Sequence, residues 1–136
     1  MSLSAIKATL INAYVSGGFS VPTAYENRHF TPDNTKPWAS VYILPSQPSV
    51  ATLGHNGWDR HDGFLQIDLN YPAGSGDGDI LTKADEIAAH FQAGKYFNHL
   101  GQSVAIRSTG RSQGRQIEGM FQINLTIYFY AQTVRS

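Results

Sequence analysis

The stretch WDRHDGFLQIDLNYPAGSGDGDILTKADEIAAHF, residues 58–91, contains a strand, a breaker and a helix in immediate succession. Apolar residues at 65, 67, 69 and 71 alternate with Gln66, Asp68 and Asn70, which gives the strand one apolar and one polar face. Pro72 cannot donate to a sheet ladder, so the strand should end there. From Ile80 to Phe91, apolar residues recur at helical spacing. A half-polar strand directly before an amphipathic helix predicts a sheet with a helix packed on one side.

Length and composition favour a single domain over residues 1–136, since a chain of 136 residues buries enough surface for a core. The sequence has no cysteine, which excludes a disulfide framework, a thiol nucleophile and a cysteine-based metal site. Ten basic and ten acidic residues give a net charge of zero, so nucleic-acid recognition is not expected. Near-zero charge also removes a common barrier to self-association.

Membrane insertion is not expected either, because no apolar run approaches the roughly twenty residues that a membrane-spanning helix needs. The first residues, MSLSAIK, lack the basic start and the long apolar core of a signal peptide. We therefore expect a protein that is made and kept in a cytoplasm.

Periodicity along the rest of the chain predicts further elements. The predicted order is a helix over 3–15, strands over 21–26, 38–44, 49–53 and 58–71, a helix over 79–93, and strands over 102–107 and 117–132. This is an α+β fold, with a mostly antiparallel sheet of about five to six strands and both helices on one face, in the order α-β-β-β-β-α-β-β. Gly63 is interpreted as a possible bulge. The last strand is long for a small domain, which predicts that part of it extends into a neighbouring subunit.

The segment GSGDG at 74–78 precedes a helix, as phosphate-binding loops do. However, Asp77 and Asp79 occupy the places that an anion would approach, and no Lys-Ser or Lys-Thr pair follows. The better interpretation is that the glycines turn the chain while Asp77 or Asp79 caps the helix.

His55, Asp59, His61 and Asp62 have the residue types that hold zinc or non-haem iron. Their spacing matches no metal motif, and in an extended segment Asp59 and His61 share a face while Asp62 points away. The other interpretation is a solvated loop leading into a strand. No Gly-x-Ser-x-Gly elbow is present. We therefore predict no catalytic residues, no metal and no cofactor.

Two groups of residues are candidates for protein–protein contacts. Arg107, Arg111 and Arg115 lie on or beside a polar, glycine-bearing hairpin tip predicted over 108–114, although arginine there is also consistent with a solvated position. Tyr128 and Tyr130 lie on the polar face of the last strand, where aromatic rings suit a partly buried interface or a second core layer.

Most of the chain resembles the phage tail terminator-like family, which includes the lambdoid minor tail protein U and related tail-completion proteins. The resemblance is carried by LQIDLNYPAGSG at 65–76, by ADEIAAHF at 84–91 and by the closing RQIEGMFQINLTIYFY at 115–130. These are packing and turn signatures, and the family offers no catalytic motif to transfer.

The resemblance implies a structural virion protein of a phage or prophage rather than an enzyme. It implies a hexameric ring that caps the tail tube, ends tube polymerisation and joins the tail to the head. The expected partners are other copies of the chain, the tail tube protein and a head-completion protein. The expected locations are the virion tail and, during assembly, the bacterial host cytoplasm. On this reading, Arg107, Arg111, Arg115, Tyr128 and Tyr130 are candidates for the subunit or tail-tube interface.

Two alternatives remain open at this point. One is a head–tail connector, or neck, component of the same virion. The other belongs to a different class, a small metal-dependent enzyme or ligand-binding protein that uses residues 55–62.

Overall fold

The computed structural model describes residues 3–26, 28–45, 49–50, 53–54, 57–74 and 78–134, and within them the chain forms two helices and eight strands. In chain order these are α1 (Leu3–Ser16), β1 (Thr23–Tyr25), β2 (Trp38–Pro45), β3 (Ser49–Val50), β4 (Trp58–Pro72), α2 (Gly78–His90), β5 (Tyr96–His99), β6 (Gln102–Arg111), β7 (Arg115–Ile117) and β8 (Met120–Val134). No helix among these residues is both long enough and apolar enough to span a membrane.

The sheet is built on the pairing of β4 with β8. Both strands have 15 residues, and their antiparallel register runs without interruption from Trp58 opposite Val134 to Pro72 opposite Met120. The last strand was predicted to extend in part into a neighbouring subunit because of its length. Its partner β4 is equally long, so the whole strand pairs within the chain.

Around this central pair the strand order is β1-β2-β4-β8-β6-β5, with β3 paired to β4 and β7 paired to β8. All pairs are antiparallel except β1 with β2. The curled sheet carries α1 next to β5 and β6 and α2 next to β4 and β8. The predicted α+β class, with a mostly antiparallel sheet, is therefore confirmed.

Two short strands, β5 and β7, were not predicted. The predicted elements placed no strand between the helix over 79–93 and the strand over 102–107, and they placed a polar tip over 108–114. In the structure β6 continues to Arg111, and β7 follows after three residues. Strands of three or four residues are too short to show an alternating pattern, so periodicity could not identify them.

The core lies between the helices and the apolar face of the sheet. Its largest fully buried side chains come from both helices, from the residue after α2 and from the odd-numbered positions of the two long strands: Ile6, Leu10, Leu65, Ile67, Leu69, Ile80, Ile87, Phe91, Ile123, Leu125, Ile127 and Phe129. The alternation predicted for both long strands is thus confirmed. At the end of α2, His90 Nε2 lies 2.8 Å from the carbonyl oxygen of Ala13, so this side chain connects α2 to α1.

Gly63 was interpreted as a possible bulge, but the register passes through it unbroken, with Gly63 opposite Phe129 on one side and opposite Pro45 on the other. The glycine is explained by close packing. A Cβ atom there would lie 2.6 Å from the Leu44 carbonyl oxygen, 2.8 Å from the Pro45 Cα and 3.0 Å from the Phe129 ring. The irregularity of the sheet is found in β6, between Ile106 and Ser108.

We predict that Gly63→Ala lowers the free energy of unfolding by about 1–3 kcal/mol, because two of the three clashing atoms belong to the backbone and cannot rotate away. Chemical denaturation of both proteins measures this difference. Gly110→Ala is the matched control in β6, since its Cβ would lie 4.0 Å from its nearest neighbour, the Thr126 carbonyl oxygen, and should change stability by no more than about 0.5 kcal/mol. Equal destabilisation by the two substitutions would contradict the packing explanation.

Candidate functional site

The side of the sheet that points away from the two helices, here called the outer face, carries the even-numbered residues of β4 and β8. Because these strands pair in register, their outer-face residues form rows across the sheet: Phe64 lies opposite Tyr128, and Asp62 opposite Tyr130. The rows continue into β6, where Ser108 pairs with Tyr128. The candidate site is therefore placed by the central pairing rather than by a loop.

One half of the outer face is aromatic. We call this the aromatic patch, formed by Trp58, Phe64, Tyr96, Tyr128 and Tyr130. The Phe64 and Tyr128 rings lie 5.9 Å apart, and Tyr128 remains 44% exposed. Tyr96 is 65% exposed and shares a hydrogen bond with Tyr130, which raises the pKa of Tyr96 above its ordinary value. Rings that are packed on each other yet accessible are typical of protein–protein interfaces.

Two arginines and an aspartate border this patch. Arg60 donates from Nε to Asp62 Oδ2 at 3.1 Å and from a terminal nitrogen to Oδ1 at 3.1 Å. Arg107 reaches Oδ1 of the same carboxylate at 3.4 Å. The guanidinium carbon of Arg60 also lies 4.5 Å from the centre of the Tyr130 ring, a cation–π geometry. The cluster holds two cations on one anion, so this corner of the outer face has a local positive excess.

The other half of the outer face is polar and partly buried. We call it the polar belt, formed by Tyr42, Gln66, Asp68, Asn70, Gln122 and Asn124.

At the centre of the polar belt is Asp68, which is 5% exposed. The Tyr42 hydroxyl donates to Asp68 Oδ2 at 2.5 Å, and Gln66 and Asn124 donate to Oδ1. Gln122 donates to Asn70 Oδ1 at 2.8 Å, which extends the network along β8. These bonds join β2, β4 and β8 through neutral donors. Burial, followed by the hydrogen bond to Asp68 and its negative charge, raises the pKa of Tyr42 to about 12.

The five predicted interface residues do not lie together. Arg107, Tyr128 and Tyr130 share the aromatic half of the outer face. Arg115 lies at the polar belt, 3.3 Å from Asn124 Oδ1. Arg111 is directed to the helix side, where it donates to Asp85 of α2 at 2.7 Å.

Four residues of the aromatic patch and its border, Trp58, Arg60, Phe64 and Tyr96, were not among the predicted residues. Phe64 and Arg60 had a signal in the sequence, since alternation from Leu65 places both on the polar face of the predicted strand. Tyr96 had none, because β5 was not predicted. Beside these residues the outer face holds a depression of about 400 Å³, walled by Trp58, Tyr96, Leu100 and Tyr130 and lined by no charged side chain.

The candidate metal segment is not assembled as a site among the described residues, where no group of three or more His, Cys, Asp or Glu side chains could hold an ion. His61 is buried, and its Nε2 lies 2.8 Å from the Thr133 hydroxyl on the helix side of the sheet. Asp62 lies on the outer face with Arg60 and Arg107. His55 lies outside the described residues.

The glycine-rich segment is described only in part. Asp79 lies in the first turn of α2, which begins at Gly78, as expected for a residue that complements the helix dipole. Asp77, the other candidate cap, lies outside the described residues.

Comparison with known proteins identifies a family. A family model described as phage tail terminator protein matches residues 3–129, which is nearly the whole chain. No curated protein matches. One solved structure is similar over 100% of this chain and 99% of its own, with a TM-score of 0.77 and 20% sequence identity. At that identity the structural similarity supports the fold alone.

The raised pKa of Tyr42 gives an alkaline test of the polar belt. Between the ordinary tyrosine pKa of 10.0 and about 12, the unfolded chain loses the Tyr42 proton while the folded chain keeps it. The stabilisation from this proton should be complete below pH 10.0 and should be lost as the pH rises toward 12. Tyrosinate absorbance should show a late-titrating group in the wild type that is missing from Tyr42→Phe.

Asp68→Asn is the informative second variant for this test. It removes the negative charge, so the pKa of Tyr42 should fall, but burial is the largest cause and should keep it above 10.0. A wild type and Tyr42→Phe with equal late absorbance would contradict the assignment.

Proposed function

We propose that this chain, which belongs to the phage tail terminator family and is therefore a structural protein of the phage tail, forms the ring that caps the tail tube. In this role it stops polymerisation of the tube and presents a surface for joining the tail to the head. The observation that carries the proposal is the family match over residues 3–129. The proposed partners are other copies of the chain, the tail tube protein and a head-completion protein.

The outer face supports a role in binding another protein. Its aromatic patch combines accessible rings with Arg60 and Arg107, and aromatic residues and arginine are enriched at protein interfaces and among the residues that dominate binding energy. The face is carried by the two longest strands, so its side chains are held on a rigid platform. A tube made of repeated protein subunits offers the extended surface that such a platform fits.

We therefore propose Arg107, Tyr128 and Tyr130 as tube contacts, together with Arg60 and Tyr96. Arg115 lies on the same face, at the polar belt, and we assign it to the edge of that contact. Arg111 is directed toward α2, so we exclude it from the tube interface and give it a role inside the subunit.

Assembly as a closed, hexameric ring of single-domain subunits is part of the same proposal. A ring requires two different surfaces of one subunit to meet repeatedly until the circle closes. The net charge of zero limits repulsion between copies. We propose that the ring forms in the host cytoplasm, on the end of the growing tail.

Deletion of the gene from its phage tests the proposal directly. Without a terminator the tube has no stop signal, so electron microscopy of lysates should show tubes of irregular and excessive length. Supplying the wild-type protein should restore uniform tails. Tubes of normal length that fail to join heads would contradict termination and would indicate a neck component instead.

A matched pair of substitutions tests the assignment of the arginines. Arg107→Ala should weaken binding to purified tail tubes by about tenfold, since it removes an interface cation while Asp62 keeps its bidentate partner Arg60. Arg111→Ala should leave tube binding unchanged, because that side chain pairs with Asp85 on the helix side. Co-sedimentation with tubes measures both.

Circular dichroism of both variants controls for folding. A larger loss of tube binding from Arg111→Ala than from Arg107→Ala would contradict the outer face as the tube contact.

A further inference from the structure

The hairpin between β5 and β6 turns through Leu100 and Gly101, with His99 paired to Gln102 on either side. Both turn residues have positive φ, 48° at Leu100 and 85° at Gly101. Two-residue hairpins of this kind favour Asn-Gly, because asparagine tolerates the left-handed conformation that other side chains avoid. Leucine is a poor choice for this position on backbone grounds.

Leu100 is unfavourable on a second ground, since 89% of its surface is exposed to solvent. Among the described residues, the other non-glycine positions with positive φ are Ser20 and Glu118, both polar. An apolar side chain that is held in a disfavoured backbone conformation and is this exposed gains little burial within its own subunit. Such an outlier points to a contact made elsewhere.

An apolar groove, which matches the apolar side chain of Leu100, lies at the opposite end of the strand order. Between α1 and the β1–β2 end of the sheet is a groove of about 450 Å³, whose apolar lining is Ile11, Val15, Tyr25, Val41 and Ile43. Its floor is fully apolar, since Val41 and Ile43 are 1% and 4% exposed. Val15 stands at its mouth and is 59% exposed. The charged residues Lys7, Glu26 and Arg28 complete the lining.

We infer that the Leu100 hairpin of one copy of this chain inserts into the α1–β2 groove of the next copy. The hairpin tip, residues 98–103, carries no Asp, Glu, Lys or Arg, so it enters an apolar groove without burying an unpaired charge. Each chain carries both this hairpin and this groove, and each surface supplies what the other lacks. A second copy is therefore the occupant that uses both.

The contact joins two different surfaces of the same chain, so it is heterologous, the type that generates rings. This inference rests on the proposed ring function and adds to it the surfaces through which the subunits meet. Arg60, Phe64, Arg107 and Tyr128 of the outer face remain free for the tube, because neither the hairpin tip nor the groove includes them.

Leu100→Asn is the decisive variant. Asparagine suits the left-handed turn, so the subunit should be as stable as the wild type or more stable, while the apolar contact is lost. Sedimentation velocity over a concentration series should show at least about a tenfold weakening of self-association. The matched control is Leu53→Asn, since Leu53 is 91% exposed but lies in the β3–β4 connection, and its assembly should be unchanged.

Val15→Lys tests the groove. Lysine has a higher helix propensity than valine and suits the last turn of α1, so the helix should be preserved while a charge blocks the groove. Val15→Lys alone should not assemble. A mixture of Val15→Lys with Leu100→Asn should form a one-to-one dimer and nothing larger, because one intact hairpin meets one intact groove.

The outcomes separate this inference from the ring proposal. Rings from Leu100→Asn equal to those of the wild type would overturn the hairpin contact and leave the proposed function in place. Loss of assembly with Leu53→Asn as well, or no dimer in the mixture, would also overturn it. A wild type that stays monomeric at all concentrations and on purified tail tubes would overturn the ring proposal, and the hairpin contact with it.

Discussion

The continuous pairing of β4 with β8 is the interaction on which the rest of the structure depends. Its 15 residue pairs set the side to which every side chain of the two longest strands points. A shift of one residue would exchange the faces and send Leu65 and Ile67 to solvent. The register thus places the helices, the core and the outer face together. Gly63 is part of the same constraint, because it allows the end of β2 to approach the centre of β4.

The hydrogen bonds of the polar belt specify this register from the face of the sheet opposite the core. Asp68 is nearly inaccessible and is held by donors from Tyr42, Gln66 and Asn124, one from each of three neighbouring strands. Polar groups buried in such a network are strongly unfavourable in any alignment that leaves them unpaired. The network therefore selects against slipped pairings, while apolar burial supplies the driving force.

Much of the fold could be predicted from periodicity alone, and the exceptions have identifiable physical causes. The alternation in β4 and β8 was correct because both strands carry one apolar and one polar face over many residues. The same alternation placed Tyr128 and Tyr130 on the outer face. Alternation did not predict that Arg107 and Arg111 lie on different faces of the sheet, since residues 107 and 111 share a face in a regular strand. The extra residue between Ile106 and Ser108 moves Arg111 to the helix side, and no turn residue marks that irregularity in the sequence.

The short strands at the two ends of the sheet limit uncontrolled association of the protein at high concentration. β1 has 3 residues and β5 has 4, so the outermost strand at each end of the strand order offers only a short template to another chain. Long open edges recruit further strands without limit and lead to fibres. The short end strands of this chain therefore give little template for the addition of further strands. Association between copies depends instead on specific side-chain contacts. The protein that we propose as the cap of a polymer is thereby poorly suited to starting a polymer of its own.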